Sequence, residues 1–143
     1  MKATVYIDGA SRGNPGNAGI GIIFFNEKGD VIKEISDYIG QTTNNIAEYT
    51  ALLTALEQAV EINIKQIDIF SDSELMVKQI NGEYKVKNEG LKPLYKRVCK
   101  LLEEFDEYEI RHVSREENKR ADKLANLGID EALDNQELDM LNY

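Results

Sequence analysis

QTTNNIAEYTALLTALEQAVEINIKQIDIFSD, residues 41–72, changes rhythm twice. Gln41 to Asn45 are polar and include candidates for a helix N-cap. From Ile46 the apolar residues take helical spacing, through Ala47, Ala51, Leu52, Ala55, Leu56, Ala59 and Val60. That spacing predicts a helix to about Glu61, ended by Asn63. Ile64 to Phe70 then reads as a strand, with Asp72 just past its end. Strand, long helix and strand in that order imply a parallel pairing through a right-handed crossover. The fold class is therefore α/β.

Upstream of this stretch the rhythm is that of strands. Ala3, Val5 and Ile7 alternate and deliver Asp8 to a strand end. A glycine-rich loop is expected next, with Gly9, Gly13, Asn14, Pro15 and Gly16. Ala18 to Asn26 and Val31 to Ile39 read as two further strands around a turn at Glu27 to Asp30. Downstream, Ser73 to Asn81 is a short helix stopped by Gly82, and Glu83 to Gly90 a polar connection. Pro93 suits the first turn of a helix that reaches about Glu104. Glu107 to Val113 is the fifth strand. Ser114 and Glu117 have capping-box spacing, Asn118 is a second cap candidate, and a helix should run to about Leu127, closed by Gly128. The order is βββ-α-β-α-α-β-α. Residues 1–128 are expected to form one domain. Residues 129–143 form an acidic C-terminal tail without Lys or Arg, either a short docked helix or a frayed end.

The bulk properties exclude several classes. A chain of 143 residues with 42% hydrophobic content suits one globular domain. No apolar run approaches the ~18 residues of a membrane span, and no signal-peptide pattern is present, so a cytoplasmic location is expected. Net charge is -9, from 26 acids and 17 bases, which speaks against a polybasic nucleic-acid binder. It leaves room for an enzyme that handles phosphodiesters through metal ions. The one cysteine, Cys99, sits in an apolar-periodic segment and reads as a buried, inert thiol.

The acids carry the chemistry. Asp8 and Asp72 each end a strand, and in open α/β sheets sites form at carboxyl ends of strands. Glu48 lies four residues before Leu52 and shares the apolar stripe of the long helix. An acid there is costly unless paired or bound to metal. Asp122 lies among Ala121, Leu124 and Ala125, although Lys119, Arg120 and Lys123 are at hand to satisfy it. Converging carboxylates repel one another and call for cations. Oxygen-only ligands suit Mg²⁺ or Mn²⁺ rather than zinc. There is no Walker A ending, and the glycine loop leads into a strand, unlike a dinucleotide fingerprint.

Four motifs in order, DGASRGNPG (8–16), TNNIAEY (43–49), SDS (71–73) and HVSREENKRAD (112–122), resemble type 1 ribonuclease H, over roughly residues 1–128. Gly82 to Lys92 is short and mixed in charge, so the chain is similar to the compact, archaeal-like branch that lacks a basic protrusion. The resemblance implies a ribonuclease H-like five-stranded mixed sheet with helices on both faces. It implies an endonuclease that cuts the RNA strand of RNA/DNA hybrids with two Mg²⁺, or Mn²⁺, leaving 5′-phosphate and 3′-hydroxyl ends. Asp8 would bridge both ions, Glu48 and Asp72 complete one, and Asp122 the other. His112 would assist proton transfer or product release, with Arg115 as a rival for that place. Gly9, Ser11, Asn14, Asn44, Asn45, Arg115 and Asn118 are the expected substrate contacts. Neutral amides such as those of Asn44 and Asn45 can read 2′-hydroxyls.

The resemblance also implies that Glu74 adds a negative charge near the substrate, and that double-stranded RNA is a second substrate class open to the compact branch. A monomer is expected. The alternatives are a nucleic-acid-binding module with weak or no catalysis, and a same-fold nuclease for another duplex. An exonuclease of this fold would carry Asp-x-Glu in the first strand, whereas Asp8 is followed by Gly9 and Ala10.

Overall fold

The computed structural model describes residues 1–141. Its strands are β1 (Lys2–Gly13), β2 (Gly16–Phe25), β3 (Val31–Thr42), β4 (Gln66–Ser71) and β5 (Glu107–His112). Its α-helices are α1 (Asn44–Glu61), α2 (Glu74–Ile80), α3 (Lys92–Leu102) and α4 (Lys119–Leu141), and a 3₁₀ turn at Arg115–Asn118 precedes α4. The five strands form one mixed sheet in the order β3-β2-β1-β4-β5. β1, β2 and β3 are an antiparallel meander, while β4 lies parallel to β1 and to β5. The expected parallel pairing through α1 is therefore present, with β1 at the centre of the sheet.

Period-two alternation divides β1 between two layers. Ala3, Val5 and Ile7 face the larger core, where Leu52, Ala55 and Leu56 of α1 meet Val98 and Leu102 of α3. The other face receives α4 over β2 and β3. A Cβ at Gly21 would overlap the Ala121 carbonyl, so the helix lies directly on the strand backbone. Two helix ends are set by local chemistry. Thr43 caps α1 through a 3.3 Å bond from the Ile46 N–H. Asn63 takes a left-handed conformation with φ 64° and ends it.

Four expectations are corrected. The glycine-rich segment is a hairpin rather than a loop. Ala10, Ser11 and Arg12 stay in register with Gly19, Ala18 and Asn17, and only Asn14 and Pro15 connect the strands. Backbone pairing with β2 outweighs the low strand propensity of glycine there. The Ser114–Glu117 capping box is formed, but it caps the 3₁₀ turn, and α4 starts after it. Gly128 does not close α4, which continues to Leu141. Glycine is needed at this position for contact, since a Cβ would come within 2.7 Å of the Asp37 backbone in β3. Ile129 beyond it is fully buried, so the residues after Gly128 begin as docked helix. Cys99 is half-buried rather than fully buried. No helix among the described residues is long and apolar enough to cross a membrane.

Candidate active site

Contrary to expectation, Asp8 does not end β1, because pairing with β2 carries the strand on to Gly13; it lies just past Ile7, the last residue of β1 paired with β4, and is only 4% exposed. Glu48, in the second turn of α1, is 3% exposed. The two meet because of Gly9. A Cβ there would overlap the Ala47 carbonyl and the Glu48 nitrogen, so only glycine lets β1 touch the helix. The same glycine donates its N–H to Glu48 Oε1 at 2.8 Å. Ser71, the buried last residue of β4, places its hydroxyl 3.5 Å from Glu48 Oε2 and accepts the Ser73 N–H at 3.0 Å. Asp72 is held between Ser71 and Ser73, which caps α2. Asp8, Glu48 and Asp72 each offer a carboxylate oxygen within 4.8 Å of the others.

These three acids line a cleft of about 220 Å³ together with Asp122 and Arg115. Asp122 comes from the first turn of α4 and is exposed. Its carboxylate accepts the Asn126 amide at 3.3 Å. Burial is the main reason that the Asp8 carboxyl is held far above its usual range, with the charges of Glu48, Asp72 and Asp122 adding to it. Burial raises Glu48 as well, against the opposing effect of the Gly9 N–H. Both shifts run upward, so burial and mutual repulsion make full ionisation of the pair costly. A cluster this buried, with one base at its edge, is relieved by a cation. Its donors are all carboxylate oxygens, the set that hard divalent ions prefer. Asp8, Glu48 and Asp72 are thus placed to bind a metal ion, and Asp122 shares their cleft.

The other expected contacts separate. Gly9, Ser11, Asn44 and Arg115 line the cleft. The Ser11 hydroxyl is already committed, donating to the Thr42 carbonyl at 2.8 Å and so pinning the hairpin to β3. Asn14 is exposed at the hairpin turn, and its Oδ1 accepts the Asn44 N–H at 3.2 Å. Asn45 is exposed beside the cleft without lining it. His112 is the last residue of β5, exposed and outside the cleft. Arg115, not His112, is the base at the cleft. Asn118 is corrected from substrate contact to internal brace. It is 1% exposed, and its amide donates to the Ile7 carbonyl at 2.8 Å, tying the turn before α4 to the strand that holds Asp8. Among the residues not singled out, Asn126 bears directly on Asp122. The i, i+4 spacing of an amide after an acid on a helix is the sequence signal for it. Ser71 carried no comparable signal.

Comparison with known proteins agrees with this geometry. Residues 6–128 match the family described as reverse transcriptase-like. Ribonuclease HI of Halobacterium salinarum is 43% identical over 131 residues, covering 92% of this chain and 66% of the relative. A crystal structure of ribonuclease H1 from that organism superposes with a TM-score of 0.89 at 41% identity, covering 92% of this chain and 99% of the other. A bifunctional protein of Mycobacterium tuberculosis is 38% identical over 92% of this chain, which spans only 36% of that relative. LC11-RNase H1, isolated from compost and solved in complex with an RNA/DNA hybrid, superposes with a TM-score of 0.86 at 42% identity, covering 92% of this chain and 99% of the other. Motif order, sheet topology, the carboxylate cleft and these relatives agree: the chain belongs to the ribonuclease H family.

Proposed function

We propose that the protein hydrolyses the RNA strand of RNA/DNA hybrids endonucleolytically, leaving 5′-phosphate and 3′-hydroxyl ends. The observation that carries this reading is the meeting of Asp8, Glu48 and Asp72 within 4.8 Å where the pairing of the central strand with β4 ends, with Asp122 across the cleft. The cofactor is Mg²⁺, with Mn²⁺ as substitute, held as two ions by Asp8, Glu48, Asp72 and Asp122. Bound there, divalent ions activate water and stabilise the charge that develops on the attacked phosphate.

The chain's own residues do the rest. The Gly9 N–H and the Ser71 hydroxyl fix Glu48, so its carboxylate does not move when charge arrives. Arg115 supplies a donor at the cleft edge for a phosphate oxygen. Asn44, on the cleft wall, and Asn14, hydrogen-bonded to it, suit the 2′-hydroxyls of the strand to be cut. Lys85, Lys92 and Lys96, with Tyr84 and Tyr95, line a groove of about 390 Å³ beside α3. That groove suits a phosphate backbone and offsets the acidity of the whole chain. We read the active form as a cytoplasmic monomer.

Cleavage of a labelled hybrid in Mg²⁺, with and without chelator, tests the proposal, with double-stranded RNA and DNA as controls. Hybrid cleavage abolished by chelator is expected. Failure to cut the hybrid in either Mg²⁺ or Mn²⁺ overturns the reading. Cleavage of double-stranded RNA beside the hybrid would widen the substrate class without changing the site.

A further inference from the structure

On the helix side of the cleft, Asn126 contacts Asp122 twice. Its Nδ2 lies 3.3 Å from Asp122 Oδ1 and 3.1 Å from the Asp122 carbonyl. The oxygen of the same amide faces away from the cleft. It accepts the Arg12 guanidinium at 3.2 Å, and the Asn126 carbonyl lies 3.4 Å from the same nitrogen. That nitrogen also pairs with Asp130 at 2.7 Å.

The polarity of this chain of contacts is determined by chemistry. A guanidinium only donates and a carboxylate only accepts. An amide between them has one favourable orientation. Rotated by half a turn, it would set its oxygen against Asp122 and its NH₂ against Arg12, and both contacts would be lost. Asp122 and Arg12 therefore favour the same orientation of Asn126, and Arg12 anchors the amide's far end. Asp130 engages Arg12 in turn, leaving Asp122 a neutral donor. A neutral donor aims a carboxylate without cancelling the charge that a cation needs.

We propose that Arg12 and Asn126 are positioning residues for Asp122, with Asp130 bracing Arg12. The inference rests on the reading of Asp122 as a cation ligand. It draws the first residues after Gly128, beyond the family match at 6–128, into support of the site.

The test is calorimetric titration of Mn²⁺ into the free protein, paired with hybrid cleavage at varied metal concentration. Asn126→Ala and Arg12→Ala should each weaken metal binding about tenfold, the lower end for groups that orient metal ligands. Half-maximal cleavage should need correspondingly more metal, with kcat at saturating metal and Tm close to those of the parent. Arg12→Lys keeps charge and donors and should restore most of the affinity. The double variant should be little worse than either single one, because both break one chain of contacts.

The sign for Arg12→Ala is decisive. By charge alone, deleting a cation beside an acidic cleft tightens metal binding, so unchanged or tighter binding overturns the proposal. Asp122→Ala separates the inference from its foundation. If that variant binds metal and cleaves like the parent, the ligand reading of Asp122 fails and the proposal with it. If it loses affinity while Asn126→Ala does not, only the positioning role fails.

Discussion

Asp8 and Glu48, on the sheet side of the cleft, retain 4% and 3% of their surface, whereas Asp122 on the helix side is exposed. The first pair is held by backbone. Gly9 brings strand and helix into contact and donates its own N–H to Glu48. Asp122 is held by side chains, through Asn126 and Arg12. A wall set by backbone packing cannot shift without disturbing the core. A wall set by exposed side chains costs little to rearrange. The sheet side is thus fixed by packing and the helix side by side-chain hydrogen bonds.

Four predictions break or sharpen this contrast. Asp8→Asn should lower hybrid cleavage about a thousandfold or more, the scale of a lost electrostatic group at the reacting centre. The metal-free variant should be no less stable than the parent, since a buried carboxyl that is costly to ionise is gone. Loss of stability comparable to the loss of activity would show that Asp8 serves the fold instead.

Gly9→Ala strikes the rigid wall itself. The added Cβ overlaps backbone, and overpacking of this kind costs about 3 kcal/mol. Denaturant unfolding reads the loss, and a stability near that of the parent would mean that the wall can yield. The opposite edge is probed by Arg115→Ala and His112→Ala. Arg115 lines the cleft and His112 does not. Turnover should fall by about tenfold or more for Arg115→Ala, in keeping with a charge-assisted phosphate contact, and change little for His112→Ala. A fall of ~10²-fold for His112→Ala would instead assign it proton transfer.

The smallest effect is on the pH dependence of stability. Asp8 and Glu48 have folded-state pKa values raised above 3.8 and 4.5, so the folded state binds protons more tightly than the unfolded chain. Their stabilising contribution is complete below those unfolded values. It is lost as pH rises through the raised ones. The Tm of the metal-free protein should therefore decline from pH 5 to pH 8, and Asp8→Asn or saturating Mg²⁺ should flatten the decline. A Tm that rises over this range in the metal-free parent would contradict the upward shifts of this pair.

Legibility in the sequence followed the kind of force involved. The helix 44–61 was readable because its stripe of Ala and Leu repeats with helical period, and Thr43 and Asn63 mark its ends with local chemistry. Asp72 was readable because alternation tells where a strand delivers its last side chain, whereas Asp8 lies inside β1, which pairing with β2 carries on to Gly13. The hairpin at 13–16 was not, because strand pairing across β2 overrides the usual meaning of glycine as loop. Gly128 was misleading in the same way. A glycine in a helix looks like a stop until β3 is seen pressed against it. Asn118 reads as a cap or a surface contact, and only its place under Ile7 shows it to be buried.

By itself the sequence determined the α/β class, the element order and the four acids, which depend on local periodicity and spacing along the chain, and the family likeness, which depends on four motifs in order. Tertiary structure alone decided which acids are buried and which exposed. It also decided that Arg115 rather than His112 reaches the cleft, and that Arg12 and Asp130 stand behind Asp122. Those outcomes depend on contacts between residues as much as 118 positions apart, Arg12 and Asp130 among them. No pattern within one segment encodes such contacts, because they form only where packed elements bring their side chains together.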